Sequence, residues 1–431
     1  MRIPYATMAV SLAGLLASTP AWANPPDSPD PVRVWNELAL QTVRLESASD
    51  AQAARLYAMV NVAMYDAVNG IASRHGAPSR RAQALVPADG APASGDAFAA
   101  ASAAAHAVLV GEFPGHTGLY DDQLEADLAA LSGGRVTAGR DWGAEVGAAV
   151  REARAADGST PTETQPAGAG PGQFRAAWSG VQFRNLLPFG IADPSVYVGS
   201  GPAPLASLDY AAAFAEVKLV GNAAIPDDDK LATFQYWSLG AGTDQPPGAW
   251  VQIALVASAQ HQLELNEKAR LLALVSMALS DTVAPTYMTK FTYRHWRPAT
   301  AIREADTDGN PLTDPNPAWS PRAGGIGSTP EYWSGHSTFS GAGAAALAGF
   351  FCEDAVSFSL VTDSAPGGAA RSYPSFSAAA AEAGRSRVVG GIHFTFSNEE
   401  ALAVGRAIAA EILAHRLLRE RGPTHFGSCP F

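Results

Sequence analysis

Apolar residues recur at three- and four-residue spacing through most of the chain, which is the period of an amphipathic helix. Few segments alternate apolar and polar residues with the period of two that strands require, so we expect no sheet of consequence. The pattern predicts an all-α protein, a large helical protein of packed bundles. The predicted helices span 32–47, 51–71, 96–110, 119–131, 138–156, 208–219, 226–238, 248–261, 266–302, 334–351 and 399–421. The helix at 266–302 is expected to kink or break at Pro285 and Pro298.

The chain begins with the pattern of a secretory signal peptide over residues 1–23. Arg2 precedes a short apolar stretch at 8–17, and Ala21-Trp22-Ala23 has the small-x-small form of a cleavage site. No later apolar run reaches the roughly 18–20 residues of a membrane span. We therefore expect an exported protein without a membrane span, periplasmic or secreted.

A Gly-, Pro- and Thr-rich stretch at 157–173 is typical of a loop or linker. It separates an N-terminal helical region, 24–172, from a catalytic region, 173–431, and we expect the two to form one integrated domain. In an oxidising compartment Cys352 and Cys429 either form a disulfide that pins the C-terminal tail or remain two unpaired thiols.

The formal net charge of the 431 residues is −12, which argues against nucleic acid as a partner. Against that background, a local group of cations is informative. Lys290 and Arg297 are seven residues apart, which places both on one face of a continuous helix. Two cations on one face repel each other unless an anion lies between them; the alternative is a solvated basic stripe that includes Arg294.

Two further elements carry groups suited to an oxyanion. Ser334-Gly335-His336 follows a Gly/Pro-rich loop and precedes an apolar helix, so its backbone N–H groups lie at a helix N-terminus. His336 is suited to proton transfer, although Ser334 as a simple helix cap is the alternative. Arg387 and His393, six residues apart, converge only if Gly390-Gly391 breaks the helix; otherwise they belong to an incidental glycine-rich turn.

Together the three elements read Lys-x6-Arg-Pro, then Ser-Gly-His, then Ser-Arg-x5-His, from Lys290 to His393. This order resembles the signature shared by the vanadium-dependent haloperoxidases and the type 2 phosphatidic acid phosphatase superfamily, which includes bacterial acid phosphatases. Looser similarity at 65–69 and 240–250 favours a bacterial haloperoxidase-type member. The resemblance implies a helical fold of the vanadium haloperoxidase type.

The resemblance also implies a role for each residue of the signature. Vanadate would be the cofactor, with His393 as the metal ligand and His336 as the general acid–base. Lys290 would polarise the bound peroxide, and hydrogen peroxide and a halide would be the substrates that give a hypohalous acid. A homo-oligomer is left open. The residues that would hold vanadate are Lys290, Arg297, Ser334, Gly335, Arg387 and His393.

The chain departs from relatives at four positions. Trp333 replaces a common proline and is expected to narrow the pocket mouth. Ser397 stands where many members have an aspartate that supports the last histidine, unless Glu399 replaces it from a shifted register. Tyr287 stands where several haloperoxidases have a tryptophan, and Thr329 occupies a position that helps to tune halide preference in relatives; neither residue names the halide. Three functions remain open: a haloperoxidase, a phosphomonoesterase with a phosphohistidine intermediate, and a non-catalytic oxyanion-binding helical protein.

Overall fold

The computed structural model describes residues 30–74 and 83–418, and it confirms an all-α protein. Only two short antiparallel pairs occur among these residues, β1 (Thr164–Gln165) with β2 (Trp178–Ser179) and β3 (Phe358–Leu360) with β4 (Arg371–Tyr373). The signal sequence and Cys429 lie outside the described residues, so export and the disulfide stay predictions. The helices are α1 (Pro31–Glu46), α2 (Asp50–Arg74), α3 (Ala97–Glu112), α4 (Thr117–Ala129), α5 (Arg135–Arg154), α6 (Leu208–Val220), α7 (Asp228–Tyr236), α8 (Gln245–Gln260), α9 (Leu265–Asp281), α10 (Val283–Tyr293), α11 (Pro298–Arg303), α12 (Gly335–Phe351), α13 (Phe376–Val389) and α14 (Thr395–His415).

The helix predicted at 266–302 is in fact three helices, α9, α10 and α11. The first break falls at Thr282, and Pro285 lies within the first turn of α10, where a missing N–H costs no intrahelical hydrogen bond. The second break falls at Arg294, whose left-handed backbone (φ 50°, ψ 34°) ends α10 before Pro298 opens α11. Both predicted breaks are therefore present, but each lies a few residues before the proline to which it was assigned.

The main core forms where α2 packs on α9 and α3, and where α12 packs on α14, α13, α9 and α8. Among the described residues, the stretch Leu265–Tyr293 is long and apolar enough to cross a membrane, with a mean hydropathy of 1.3. However, 94% of the apolar 18-residue segment within this stretch is buried inside the protein. This is the environment of a central helix in a bundle.

Glycines bring α12 and α14 into unusually close contact. A Cβ added to Gly341 would lie 2.2 Å from the carbonyl oxygen of Leu402, and one added to Gly405 would lie 2.2 Å from that of Thr338. Any larger residue at either position would push the two helices apart. The tight pair fixes α12, whose N-terminus carries Ser334, Gly335 and His336.

Asp281, at the end of α9, holds the loop at 189–191 against the core. Its carboxylate accepts the backbone N–H groups of Phe189 (2.6 Å), Gly190 (2.6 Å) and Ile191 (2.9 Å), and burial raises its pKa to about 6. Asp281→Ala leaves three N–H donors without this acceptor, so we expect a loss of roughly 3–5 kcal/mol in the free energy of unfolding. Urea titration checks this. Asp193→Ala, which removes a cap from an exposed turn, is the control and should cost much less; equal losses would contradict the assignment.

Candidate active site

Lys290 and Arg297 approach each other, but not on one helix face as predicted. Lys290 lies in the last turn of α10, whereas Arg297 is extended (φ −79°, ψ 155°) just before α11. The turn at Arg294 and the following extended run redirect Arg297 towards Lys290. The pKa of Lys290 is well below its ordinary value, chiefly because of burial and then because of the charge of Arg297. The basic-stripe alternative fails, since Lys290 is only 4% exposed and Arg297 only 5%.

The Ser334-Gly335-His336 element starts α12, as predicted. Ser334 is the N-cap, and its hydroxyl accepts from Ser337 N (3.4 Å) and from Ser337 Oγ (2.7 Å). Gly335 is the first residue of the helix, and a Cβ added there would meet only Asp50 Oδ2, at 3.5 Å. Space therefore remains beside N–H groups that carry the positive end of the helix dipole, which suits an anion.

His336 is a neutral histidine, and its hydrogen bond identifies which ring nitrogen carries the proton. Its Nε2 lies 2.9 Å from the carbonyl oxygen of Ser238, which only accepts, so Nε2 carries the proton. Burial and then the charge of Arg387 hold the pKa of His336 well below its ordinary value. The lone pair is therefore on Nδ1, and His336 is a base at neutral pH.

The helix break predicted at Gly390-Gly391 is present and brings Arg387 and His393 to the same site. α13 ends at Val389, and Gly391 has a left-handed φ of 76° that few other residues adopt. Arg387 is 6% exposed; its Nη1 lies 3.4 Å from the carbonyl oxygen of Trp237, and its Nε has no partner among the described residues. Burial lowers the pKa of Arg387 to about 9, with a further contribution from Arg297.

His393 has its tautomer fixed by two neighbours. Arg297 Nη1, which only donates, lies 2.8 Å from Nε2, so Nε2 carries the lone pair and Nδ1 the proton. Nδ1 donates to Glu331 Oε1 at 2.9 Å. Burial, and then the charges of Arg297, Lys290 and Arg387, hold the pKa of His393 well below its ordinary value. A nitrogen lone pair is thus directed into a group of three buried cations.

Glu331 is a site residue that the sequence did not reveal. It is fully buried, it accepts from His393 Nδ1 and from the backbone N–H of Phe394 (3.0 Å), and burial raises its pKa to about 7. Many relatives supply this carboxylate from a position after the last histidine in sequence. Here it comes from Glu331, which precedes Ser334 in the chain. Glu399, the candidate from a shifted register, is exposed, and Ser397 is buried beside Glu331. The one available signal was that Glu331 is the only acidic residue between Asp314 and Glu353.

The structure also shows the contacts of Trp333, Thr329 and Tyr287, the other positions at which the chain departs from relatives. Trp333 is 1% exposed and packs against Tyr332, with ring centroids 5.7 Å apart, so it fills a side cluster instead of narrowing an opening as expected. The backbone oxygen of Thr329 accepts from Arg297 Nε at 2.8 Å. The hydroxyl of Tyr287 donates to Asp50 at 3.2 Å, so the N-terminal helix α2 also reaches the site.

These residues fit vanadate better than a metal cation. No group of three or more His, Cys, Asp or Glu side chains suited to a metal ion occurs in the described part of the chain. Instead, three buried cations, a guanidinium nitrogen without a partner and a helix N-terminus call for an oxyanion. His393 Nε2 is the atom that would bind the vanadium.

We expect Glu331→Gln to lower vanadate affinity by about 10- to 100-fold, because the carboxylate orients His393 and raises its basicity. Isothermal titration calorimetry with orthovanadate measures the change. Glu399→Gln is the matched control and should bind vanadate like the wild type. If the two variants lose affinity equally, Glu331 does not support His393.

Comparisons with known proteins agree with this geometry. The sequence profile described as VCPO second helical-bundle domain matches residues 270–419. No curated protein matches the chain. A bacterial vanadium-dependent iodoperoxidase structure matches with a TM-score of 0.75 at 21% identity, covering 91% of this chain and 98% of that one. A holo-type bacterial vanadium-dependent chloroperoxidase matches with a TM-score of 0.63 at 15% identity, covering 88% of this chain and 94% of that one.

The profile covers every residue of the signature from Lys290 to His393, and the structural matches extend the shared fold to most of the chain. Residues 270–419 therefore match the model of the VCPO second helical-bundle domain, and most of the chain shares the fold of the matched vanadium-dependent haloperoxidase structures.

Proposed function

We propose that this protein is a vanadate-dependent haloperoxidase, which oxidises a halide with hydrogen peroxide to a hypohalous acid. The observation that carries the proposal is the His393 Nε2 lone pair, held by Glu331 and directed into the cations Lys290, Arg297 and Arg387. The iodoperoxidase and chloroperoxidase named in the matched structures support the same activity. We also propose export to the periplasm or the medium, on the pattern of residues 1–23.

Each residue of the site has a part in this proposal. Bound vanadate would supply the activation of hydrogen peroxide towards attack by halide. Lys290, Arg297 and Arg387 neutralise the oxyanion, because cationic donors in a buried site bind negative charge strongly. The hydroxyl of Ser334 and the N–H of Gly335 donate further hydrogen bonds. His336 Nδ1 accepts a proton from hydrogen peroxide.

A phosphomonoesterase is the second candidate, because the same tautomer of His393 supports it. An unprotonated Nε2 beside three cations is also suited to attack phosphorus, which would give a phosphohistidine. Phosphate and vanadate have nearly the same shape, so the pocket would accept either.

Bromide- and iodide-dependent peroxidase activity of the purified protein tests the proposal, with and without orthovanadate and with phosphate as competitor. We expect activity that appears with vanadate and falls with phosphate. Hydrolysis of a chromogenic phosphate ester, without any halide oxidation when vanadate is bound, would favour the phosphomonoesterase. Anion binding without either activity would leave a non-catalytic oxyanion-binding protein.

A further inference from the structure

Asp50 places a carboxylate next to the helix N-terminus of the site, although it is more than 280 residues away from Gly335 in sequence. It is the first residue of α2, and its Oδ2 lies 3.5 Å from the position of a Cβ on Gly335. Its Oδ1 accepts from the hydroxyl of Tyr287 (3.2 Å) and from Ala51 N (2.8 Å). None of the steps proposed above uses this group.

Burial is the largest influence on the Asp50 carboxyl and raises its pKa. The N–H of Ala51, the hydroxyl of Tyr287 and the charge of Lys290 oppose this rise, because each favours the anion. The two donors satisfy one carboxylate oxygen and leave Oδ2 on the side of Gly335. A carboxyl group, negatively charged above its raised pKa, therefore lies at the edge of a pocket suited to an anion.

The formal charges around the pocket are nearly balanced. When all five groups are ionised, Lys290, Arg297 and Arg387 bring three positive charges, and Glu331 and Asp50 bring two negative ones. Burial opposes each of these charges and raises the pKa of Glu331 to about 7. A singly charged anion would neutralise the remaining charge, whereas a doubly charged anion would leave an uncompensated negative charge in a buried site, which is costly.

We propose that Asp50 is a specificity-determining residue, whose charge makes the pocket favour a singly charged oxyanion over a doubly charged one. Just above neutral pH, orthovanadate is chiefly a monoanion, whereas phosphate and its monoesters are chiefly dianions. Asp50 therefore favours vanadate over phosphate in a pocket whose shape fits both. The inference rests on the proposed function, since both concern the same pocket.

The test compares dissociation constants for orthovanadate and inorganic phosphate, measured by calorimetry at low ionic strength just above neutral pH. Asp50→Asn keeps the shape of the side chain and removes its charge. We expect phosphate affinity to rise at least about tenfold relative to vanadate affinity, the effect of one unit charge nearby at an effective dielectric constant of about 20. Asp50→Ser, which retains a residue suited to starting a helix, should shift the ratio in the same direction.

Tyr287→Phe removes one of the donors that favour the ionised form of Asp50 but leaves the carboxyl group in place. Its phosphate-to-vanadate ratio should shift in the same direction as that of Asp50→Asn but by less, and a shift larger than that of Asp50→Asn would overturn the charge argument. An unchanged ratio in both Asp50 variants, with vanadate still bound, would overturn this inference alone. A wild-type protein that binds neither anion would overturn the proposed function as well.

Discussion

His393→Ala is expected to remove vanadate binding and halide oxidation together. The variant loses the unprotonated Nε2, which accepts from Arg297 and lies within the field of Lys290 and Arg387. We expect vanadate affinity to fall by at least about 100-fold, which corresponds to about 2.7 kcal/mol. Calorimetry with orthovanadate and iodide-dependent peroxidase assays measure the two effects on the same preparation.

Two measurements distinguish unfolding of His393→Ala from the simple loss of the side chain that binds vanadium. The alanine leaves Glu331 buried without the Nδ1 donor, so thermal unfolding must be recorded beside the binding data. Added imidazole should enter the vacated space and restore part of the vanadate affinity of a folded His393→Ala protein. His261→Ala, at an exposed histidine that stacks on Phe351, is the control and should behave like the wild type. Wild-type peroxidase activity in His393→Ala would disprove the site assignment.

The sequence predicted that the signature residues meet at one site, but it predicted only part of the backbone structure that brings them together. The sequence predicted that Ser334-Gly335-His336 would lie at a helix N-terminus and that Gly390-Gly391 would break a helix, and both are observed. The same reasoning placed Arg297 on the helix of Lys290. It failed because a left-handed turn at Arg294, a non-glycine residue, leaves no clear mark in the sequence.

Glu331 and Asp50 lay beyond the reach of sequence spacing. Glu331 approaches His393 from a loop 62 residues earlier, and Asp50 reaches Gly335 from the start of α2. Both contacts depend on how helices pack, and the helical period constrains only neighbours within one helix. Its position as the only acidic residue between Asp314 and Glu353 was the one trace of Glu331 in the sequence.

Most helices were predicted to within a few residues, and one was missed. The observed bounds of α1 to α5 lie within a few residues of those expected from periodicity. α13 was not predicted, although it packs against α12 and α14; its small residues do not explain this, because α3 is equally rich in alanine and was predicted. The division of the chain into regions 24–172 and 173–431 stays a prediction.

His336→Ala is expected to lower turnover far more than vanadate binding. His336 is neutral and holds its Nδ1 lone pair free for a proton, so it contributes a base and no positive charge to the pocket. Removing a general base costs about 100- to 10,000-fold in turnover, whereas vanadate affinity should change by less than about tenfold. Steady-state peroxidase kinetics at saturating vanadate, together with calorimetry, measure the two quantities.

His336→Gln separates proton transfer from simple packing. The glutamine amide nitrogen reaches about as far as His336 Nε2 and is able to donate to the carbonyl oxygen of Ser238, but it is not a base at neutral pH. We therefore expect His336→Gln to be as slow as His336→Ala while it binds vanadate and resists unfolding like the wild type. Turnover restored by glutamine would mean that His336 acts by holding Ser238 and its loop in place. Equal losses of binding and turnover in both variants would instead make His336 part of the oxyanion-binding set, because a residue that acts only on the proton leaves the ground-state complex intact.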